Sequence, residues 1–168
     1  AALTQYNEPS GLEALRLAIS DHLGPARGIA VDAGQIMIVG GCQDGFNLIA
    51  RLLVSPGTPL VIENPCYQGA AYVFESFGAE PYPVTVDEHG MDVSQLPDVS
   101  SPVAYLTPSH QYPMGATLSL SRRMELLAWA DKHDAYILED DYDSDFRFTG
   151  APLTALKGLD RNDRVVYM

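Results

Sequence analysis

The stretch Glu139-Asp140-Asp141-Tyr142-Asp143-Ser144-Asp145 concentrates more potential chemistry than any other part of the chain. Asp141, Asp143 and Asp145 alternate as the first ligands of a calcium loop would. Such a loop then needs Gly at its sixth place and Glu at its twelfth. Phe146 and Pro152 occupy those places, so the calcium reading fails. A solvated acidic loop is the general alternative. Against it, Asp140 comes just behind the apolar run Tyr136-Ile137-Leu138. A carboxylate at the inner end of a buried strand needs a partner or a function. A pyridinium-type N–H is one such partner. Tyr142, two residues on, faces the same side of an extended segment.

Three other segments share this composition of turn formers, aromatics and polar groups. Gly40-Gly41-Cys42-Gln43 lies between an apolar run and a helical pattern, where free N–H groups favour an anion such as phosphate. A plain tight turn explains the glycines equally well. The spacing fits neither G-x-G-x-x-G nor a P-loop. Tyr67 follows Pro65 after a strand-like run and could stack on a planar ring. With nine tyrosines in the chain, a packing role for it is the simpler reading in isolation. Thr107-Pro108-Ser109-His110-Gln111-Tyr112-Pro113-Met114-Gly115 is a prolyl loop. Its His110 alone does not indicate catalysis, and no G-x-S-x-G elbow accompanies Ser109.

Alternating strands and helices position these segments. Helical spacing is expected over 11–23 (Leu12, Leu15, Ile19 and Leu23), over 43–54, over Gln68–Phe77 and over Ser121–His133 with Met124, Leu127 and Ala128 inward. Strands are expected at Ile36–Val39, Leu60–Ile62, Glu80–Val86, Val103–Leu106, Tyr136–Leu138 and Val165–Tyr167. Strands separated by helices imply βαβ units and a mostly parallel sheet covered on both faces. The expectation is therefore one α/β domain over 1–168, a three-layer αβα arrangement. In such sheets, ligands sit beyond the carboxyl ends of the strands. All four chemistry-bearing segments follow a strand.

Composition narrows the function classes. The chain is 46% hydrophobic and 19% charged, which argues against disorder. A formal net charge of −12 disfavours contact with nucleic acid through this segment. Cys42 and Cys66 form neither a disulfide framework nor a zinc pattern, so no metal site and a reduced, cytoplasmic setting are expected. No apolar run is long enough to span a membrane. The chain opens at Ala1 directly into a motif-bearing loop, and it reads as a piece of a longer protein.

Taken together, these segments resemble the fold-type I aminotransferases, which bind pyridoxal 5′-phosphate (PLP). More narrowly they resemble the aminotransferase-like domain of MocR/GntR-type transcriptional regulators. The resemblance runs from about Tyr6 to Met168, and rests on the 107–115 and 139–146 segments above. Pro9-Ser10-Gly11-Leu12-Glu13-Ala14-Leu15-Arg16, Ala26-Arg27-Gly28-Ile29 and Gly41-Cys42-Gln43 support it. It implies an incomplete large, PLP-binding domain and a set of roles. Gly41, Cys42 and Gln43 would cradle the phosphate, Tyr67 would stack on the ring, Asp140 would hold the ring nitrogen and Tyr142 the 3′-oxygen. Tyr6 would reach the phosphate of a neighbouring subunit, making the site shared across a homodimer, and His110 would lie near the ring.

Two departures qualify these roles. Ordinary members carry Asn before the Pro of an N-P-T-G loop, whereas this chain has Tyr112, with Met114 in place of Thr. The family's Schiff-base lysine would lie just beyond Met168. Neither Lys132 nor Lys157, the chain's two lysines, occupies that place. No catalytic residue is therefore expected here, and PLP should bind weakly or not at all. The resemblance favours a ligand-sensing domain that responds to a small amino compound, with DNA bound by a separate N-terminal domain. A segment of an amino-acid aminotransferase, for example of the 2-aminoadipate type, is the alternative. A structural piece that binds nothing is the third reading.

Overall fold

In the computed structural model, residue 6, residues 8–143 and residues 153–168 are described. Six strands form one sheet in the order β3-β2-β1-β4-β5-β6. They are β1 (Pro59–Asn64), β2 (Glu80–Asp87), β3 (Gly90–Met91), β4 (Val103–Leu106), β5 (Tyr136–Glu139) and β6 (Val165–Tyr167). All neighbouring pairs are parallel except the short β2–β3 hairpin. The central register aligns Ile62 with Tyr105, and Tyr105 with Leu138. The strand ends at β1, β4 and β5 therefore stand side by side, which places the segments after them together.

Helices cover both faces. On one, α2 (Cys42–Leu53) and α3 (Gln68–Ser76) bury Phe46, Ala50, Ala70 and Phe74 against Leu60, Ile62, Tyr105 and Leu138. On the other, α4 (Leu120–His133) and α5 (Leu156–Leu159) bury Leu126, Leu127, Ala130 and Leu156 against Val61, Ala104, Leu106 and Ile137. β1 and β4 supply apolar residues to both layers, as expected of strands covered on both faces. The α/β class and the mostly parallel sheet agree with the expectation from sequence.

Helix ends follow local chemistry. Ser119 caps α4 by accepting from Arg122 N. α1 (Glu13–Arg27) stops at Gly28, whose left-handed φ of 71° closes the last turn. It runs four residues past the expected end and through Pro25. A proline so close to the terminus removes only one helical hydrogen bond, and Gly28 N still reaches Gly24 O.

Three expectations are corrected. Ile36–Val39 is extended but forms no strand. Its backbone bonds run from Ile38 N to Ser10 O and from Ile36 N to Ala33 O, and among the described residues no strand lies alongside to pair with it. The expected apolar stripe of α1 is not buried: Leu12 and Leu15 are exposed, whereas Arg16 and Arg27 are buried. Arg16 is held by the Gly11 and Ala33 carbonyls and by Glu8, so polar anchoring replaces apolar packing. In α4 the inward face is Arg123, Leu126, Leu127 and Ala130, while Met124 and Ala128 are exposed. Arg123 can face inward because its guanidinium donates to the carbonyls of Leu118, Thr154 and Pro108.

Candidate functional site

The carboxyl ends of β1, β4 and β5 gather most of the chain's buried polar side chains. Glu63, Thr107, Gln111, Glu139 and Asp141 are all buried there. Asp140 is the first residue after β5 and is half-buried. The wholly buried Tyr105 of β4 donates its hydroxyl to Asp140 Oδ2 at 2.8 Å. Tyr105 also meets Phe46 of α2 edge-on, with centroids 5.6 Å apart. Burial pushes the Asp140 carboxyl up, the Tyr105 bond pulls it down, and the charge of Asp141 pushes it up again.

The start of α2 has an open end. Gly41 caps it without a side-chain bond, and the first intrahelical bonds are Asp44 N and Gly45 N to Gly41 O. The N–H groups of Cys42 and Gln43 therefore precede the helical ladder, the arrangement that suits an anion. Gln43 Nε2 reaches the Tyr67 hydroxyl at 3.4 Å, and the Tyr67 ring lies 6.4 Å from that of Phe46. Phe46 thus lies between the Gly41–Gln43/Tyr67 group and the Tyr105–Asp140 pair.

Aromatic rings extend the site on its outer side. Tyr67 and Tyr112 meet edge-on at 5.9 Å, Tyr112 and Tyr142 at 6.1 Å, and Tyr142 and His110 at 5.7 Å. Tyr142 is only partly buried, and burial with the nearby charges of Asp143 and Asp140 pushes its phenol to about 12. His110 is exposed, and its ring meets that of Tyr142. Tyr6 is fully exposed. The two lysines are engaged elsewhere: Lys132 with Asp98, and Lys157 with Asp160 and Asp163. Among the described residues no cluster of His, Cys, Asp and Glu could hold a metal ion. Asp145, Phe146 and Pro152, used to test the calcium loop, lie outside the described residues.

Two buried networks support the site and were not singled out from sequence. In the first, Glu63 Oε2 accepts from Thr107 N (3.0 Å), Thr107 Oγ1 (2.9 Å) and Gln111 Nε2 (3.3 Å), while Oε1 is buried with no partner among the described residues. Burial drives this carboxyl up to about 7 despite those three donors. Gln111 also donates to the Pro65 and Tyr112 carbonyls, so it fastens the Tyr67 turn to the Tyr112 loop. In the second, Arg27 donates to Asp141 Oδ1 and Ser109 Oγ, both at 2.7 Å, and Tyr167 donates to Asp141 Oδ2. A charged residue right after Val61-Ile62 was a legible signal for Glu63. Tyr105, inside an apolar strand, gave none.

The arrangement fits a planar, anionic cofactor. It offers an anion-binding helix start, an aromatic ring beside it, and a half-buried carboxylate at the neighbouring strand end.

Comparison with known proteins agrees with this geometry. Residues 1–167 match the family "Aminotransferase class I and II". The chain is 37% identical to the "Probable rhizopine catabolism regulatory protein MocR" of Rhizobium meliloti, over 97% of this chain and 33% of that protein. It is 30% identical to "Aromatic-amino-acid aminotransferase 1" of Thermococcus litoralis, over 100% of this chain and 42% of that protein. Among solved structures, kynurenine aminotransferase from Pyrococcus horikoshii, in a complex with PMP, superposes with a TM-score of 0.88. It has 33% identity and covers 98% of this chain and 43% of its own. The chain thus spans about a third of the length of the regulators it matches.

Proposed function

The chain belongs to the class I and II aminotransferase family, whose cofactor is pyridoxal phosphate, and we propose that it forms the cofactor-holding part of a ligand-sensing transcriptional regulator. The observation that carries this reading is Asp140. It is half-buried, held by Tyr105 at the end of β5, and linked through the Tyr105 and Phe46 rings to the helix that Gly41–Gln43 open. The N–H groups of Cys42 and Gln43 bind the phosphate. Tyr67 lies against the ring, Asp140 accepts from the ring nitrogen and Tyr142 meets the 3′-oxygen. Bound, the cofactor supplies an electron-accepting ring. The Asp140 carboxylate keeps the ring N–H in place. The Tyr67, Tyr112 and Tyr142 rings limit water on that side.

The small amino compound that such a regulator senses binds at the same strand ends. DNA is bound by a separate segment, since the acidic charge here repels phosphate backbones. In the assembled protein the site is shared across a homodimer, with Tyr6 reaching the partner's phosphate, and the protein works in the cytoplasm. Among the described residues no helix is long and apolar enough to cross a membrane.

A second reading, a segment of an amino-acid aminotransferase, has support from the 30% identity to the Thermococcus litoralis enzyme. Tyr112 and Met114 in the prolyl loop weigh against it. The 37% identity to the MocR regulator favours the first reading.

Titration of the chain with PLP, followed by visible absorbance and tyrosine fluorescence, tests cofactor binding. The expected result is weak, reversible binding that inorganic phosphate competes away and that Asp140→Ala weakens on the order of tenfold. Binding unaffected by both phosphate and Asp140→Ala overturns the proposal.

A further inference from the structure

Tyr105 places a phenol where the sequence offers only apolar company. Its ring is wholly buried in the layer formed by Phe46, Ile62, Phe74 and Leu138. A hydroxyl in such a layer is costly unless it is bonded, and its one recorded partner is Asp140 Oδ2. Asp140 is as dependent on the bond. The nearby cation, Arg27 of α1, is spent on Asp141 and Ser109. Among the described residues, no donor other than Tyr105 reaches the Asp140 carboxylate.

The ionisable groups around Asp140 sharpen this dependence. Glu63 comes from β1, Asp141 and Tyr142 from its own segment, and Tyr105 from β4. Behind Asp141 stand Arg27 and Tyr167 of β6, which satisfy Asp141 rather than Asp140. Asp141 and burial both disfavour a charged Asp140, and the Tyr105 bond favours it. Burial and Asp141 thus oppose a charged Asp140, and a single neutral donor is the counterweight among the described residues.

We infer that Tyr105 is a positioning residue: its hydroxyl grips Oδ2 of Asp140 from the core side, fixing the carboxylate plane and leaving Oδ1 as the acceptor for the cofactor's ring nitrogen. Two consequences follow from one bond. The grip holds the rotamer, and it holds the charge. The assignment of the acceptor rests on the proposed function. The coupling of Tyr105 to Asp140 does not, and it can be measured with no cofactor present.

The test follows the Asp140 carboxyl by ¹³C NMR through a pH titration of the chain alone, for the native protein and for Tyr105→Phe. The expected result is a higher titration midpoint for Asp140 in the variant, because a bond to the charged form has been lost. An unmoved midpoint in a folded variant overturns the inference, since a merely space-filling Tyr105 would not influence that titration. Should Tyr105→Phe not fold, the Tyr105 hydroxyl proton is observed instead in the native protein and in Asp140→Asn. A signal that shifts on that substitution supports the coupling, and one that does not overturns it. A second arm measures PLP affinity, which Tyr105→Phe is expected to weaken on the order of tenfold. If the native chain does not bind PLP at all, the proposed function fails, while the titration still decides whether Tyr105 sets the state of Asp140.

Discussion

At the residue scale, the consecutive carboxylates Asp140 and Asp141 are satisfied in opposite ways. Asp140 has one neutral donor and remains half open. Asp141 is buried, and both its oxygens are bonded, one by Arg27 and one by Tyr167. A buried ion pair holds strongly against loss of one partner, because the other is left as an uncompensated charge. Arg27→Met is therefore expected to cost about 3–5 kcal/mol in urea unfolding. Arg27→Met combined with Asp141→Asn should recover part of that loss, because the stranded charge is gone. A single-variant loss no larger than a surface substitution would show the pair to be ornamental. The motif Ala26-Arg27-Gly28 was visible in sequence, but its partner lies 114 positions along the chain, and no local pattern announces so distant a contact. Asp140 was legible because an acid behind an apolar run conflicts with its surroundings. Tyr105 conflicts with nothing in a strand-forming sequence, so its role emerged only from the structure.

At the element scale, what was readable depended on whether the signal was local. β4 and β6 have the expected bounds, and α3 begins at the expected Gln68, because an apolar period suffices to define them. Ile36–Val39 has the composition of a strand, but a strand also needs a neighbour, and composition does not supply one. The inward face of α4 was misjudged because Arg123 is buried through hydrogen bonds to carbonyls, which periodicity scores as solvent-facing. The junctions of elements carry a pH prediction. Glu63, at the end of β1, titrates near 7 when folded, against 4.5 for an unburied glutamate. Glu139, at the end of β5, is likewise raised to about 7 while it accepts from Leu156 N and Lys157 N at the start of α5. A raised acid favours the folded state while protonated. The contribution is full below about 4.5 and is lost as pH rises through about 7. For Glu63 alone this amounts to roughly 3 kcal/mol. Unfolding free energy from urea melts should fall across that window, and Glu63→Gln should flatten the Glu63 share. A stability that instead rises steadily from pH 4.5 to 7 would count against a protonated Glu63.

At the scale of the whole molecule, two terms oppose each other. β6 is the last strand of the sheet, and among the described residues none pairs with its outer edge. Beside it lies a largely apolar groove, in which Ile19, Leu23, Ile36, Met37 and Ile38 face Val165–Met168. Met37 is 58% exposed there. An unpaired edge next to an apolar groove favours contact between copies. The formal charge of −12 favours their separation. The repulsion acts over distance and is screened by salt, whereas the contact is short-ranged and is not. Association should therefore strengthen as salt rises from about 0.05 M to about 0.5 M, the reverse of what ion-paired contacts would give. Sedimentation velocity across a concentration series at both salts measures this. Met37→Lys, which puts a charge into the groove, should return the high-salt species towards monomer. A chain that stays monomeric at both salts, or that associates only at low salt, would mean that the β6 edge and its groove do not govern how copies of the molecule meet.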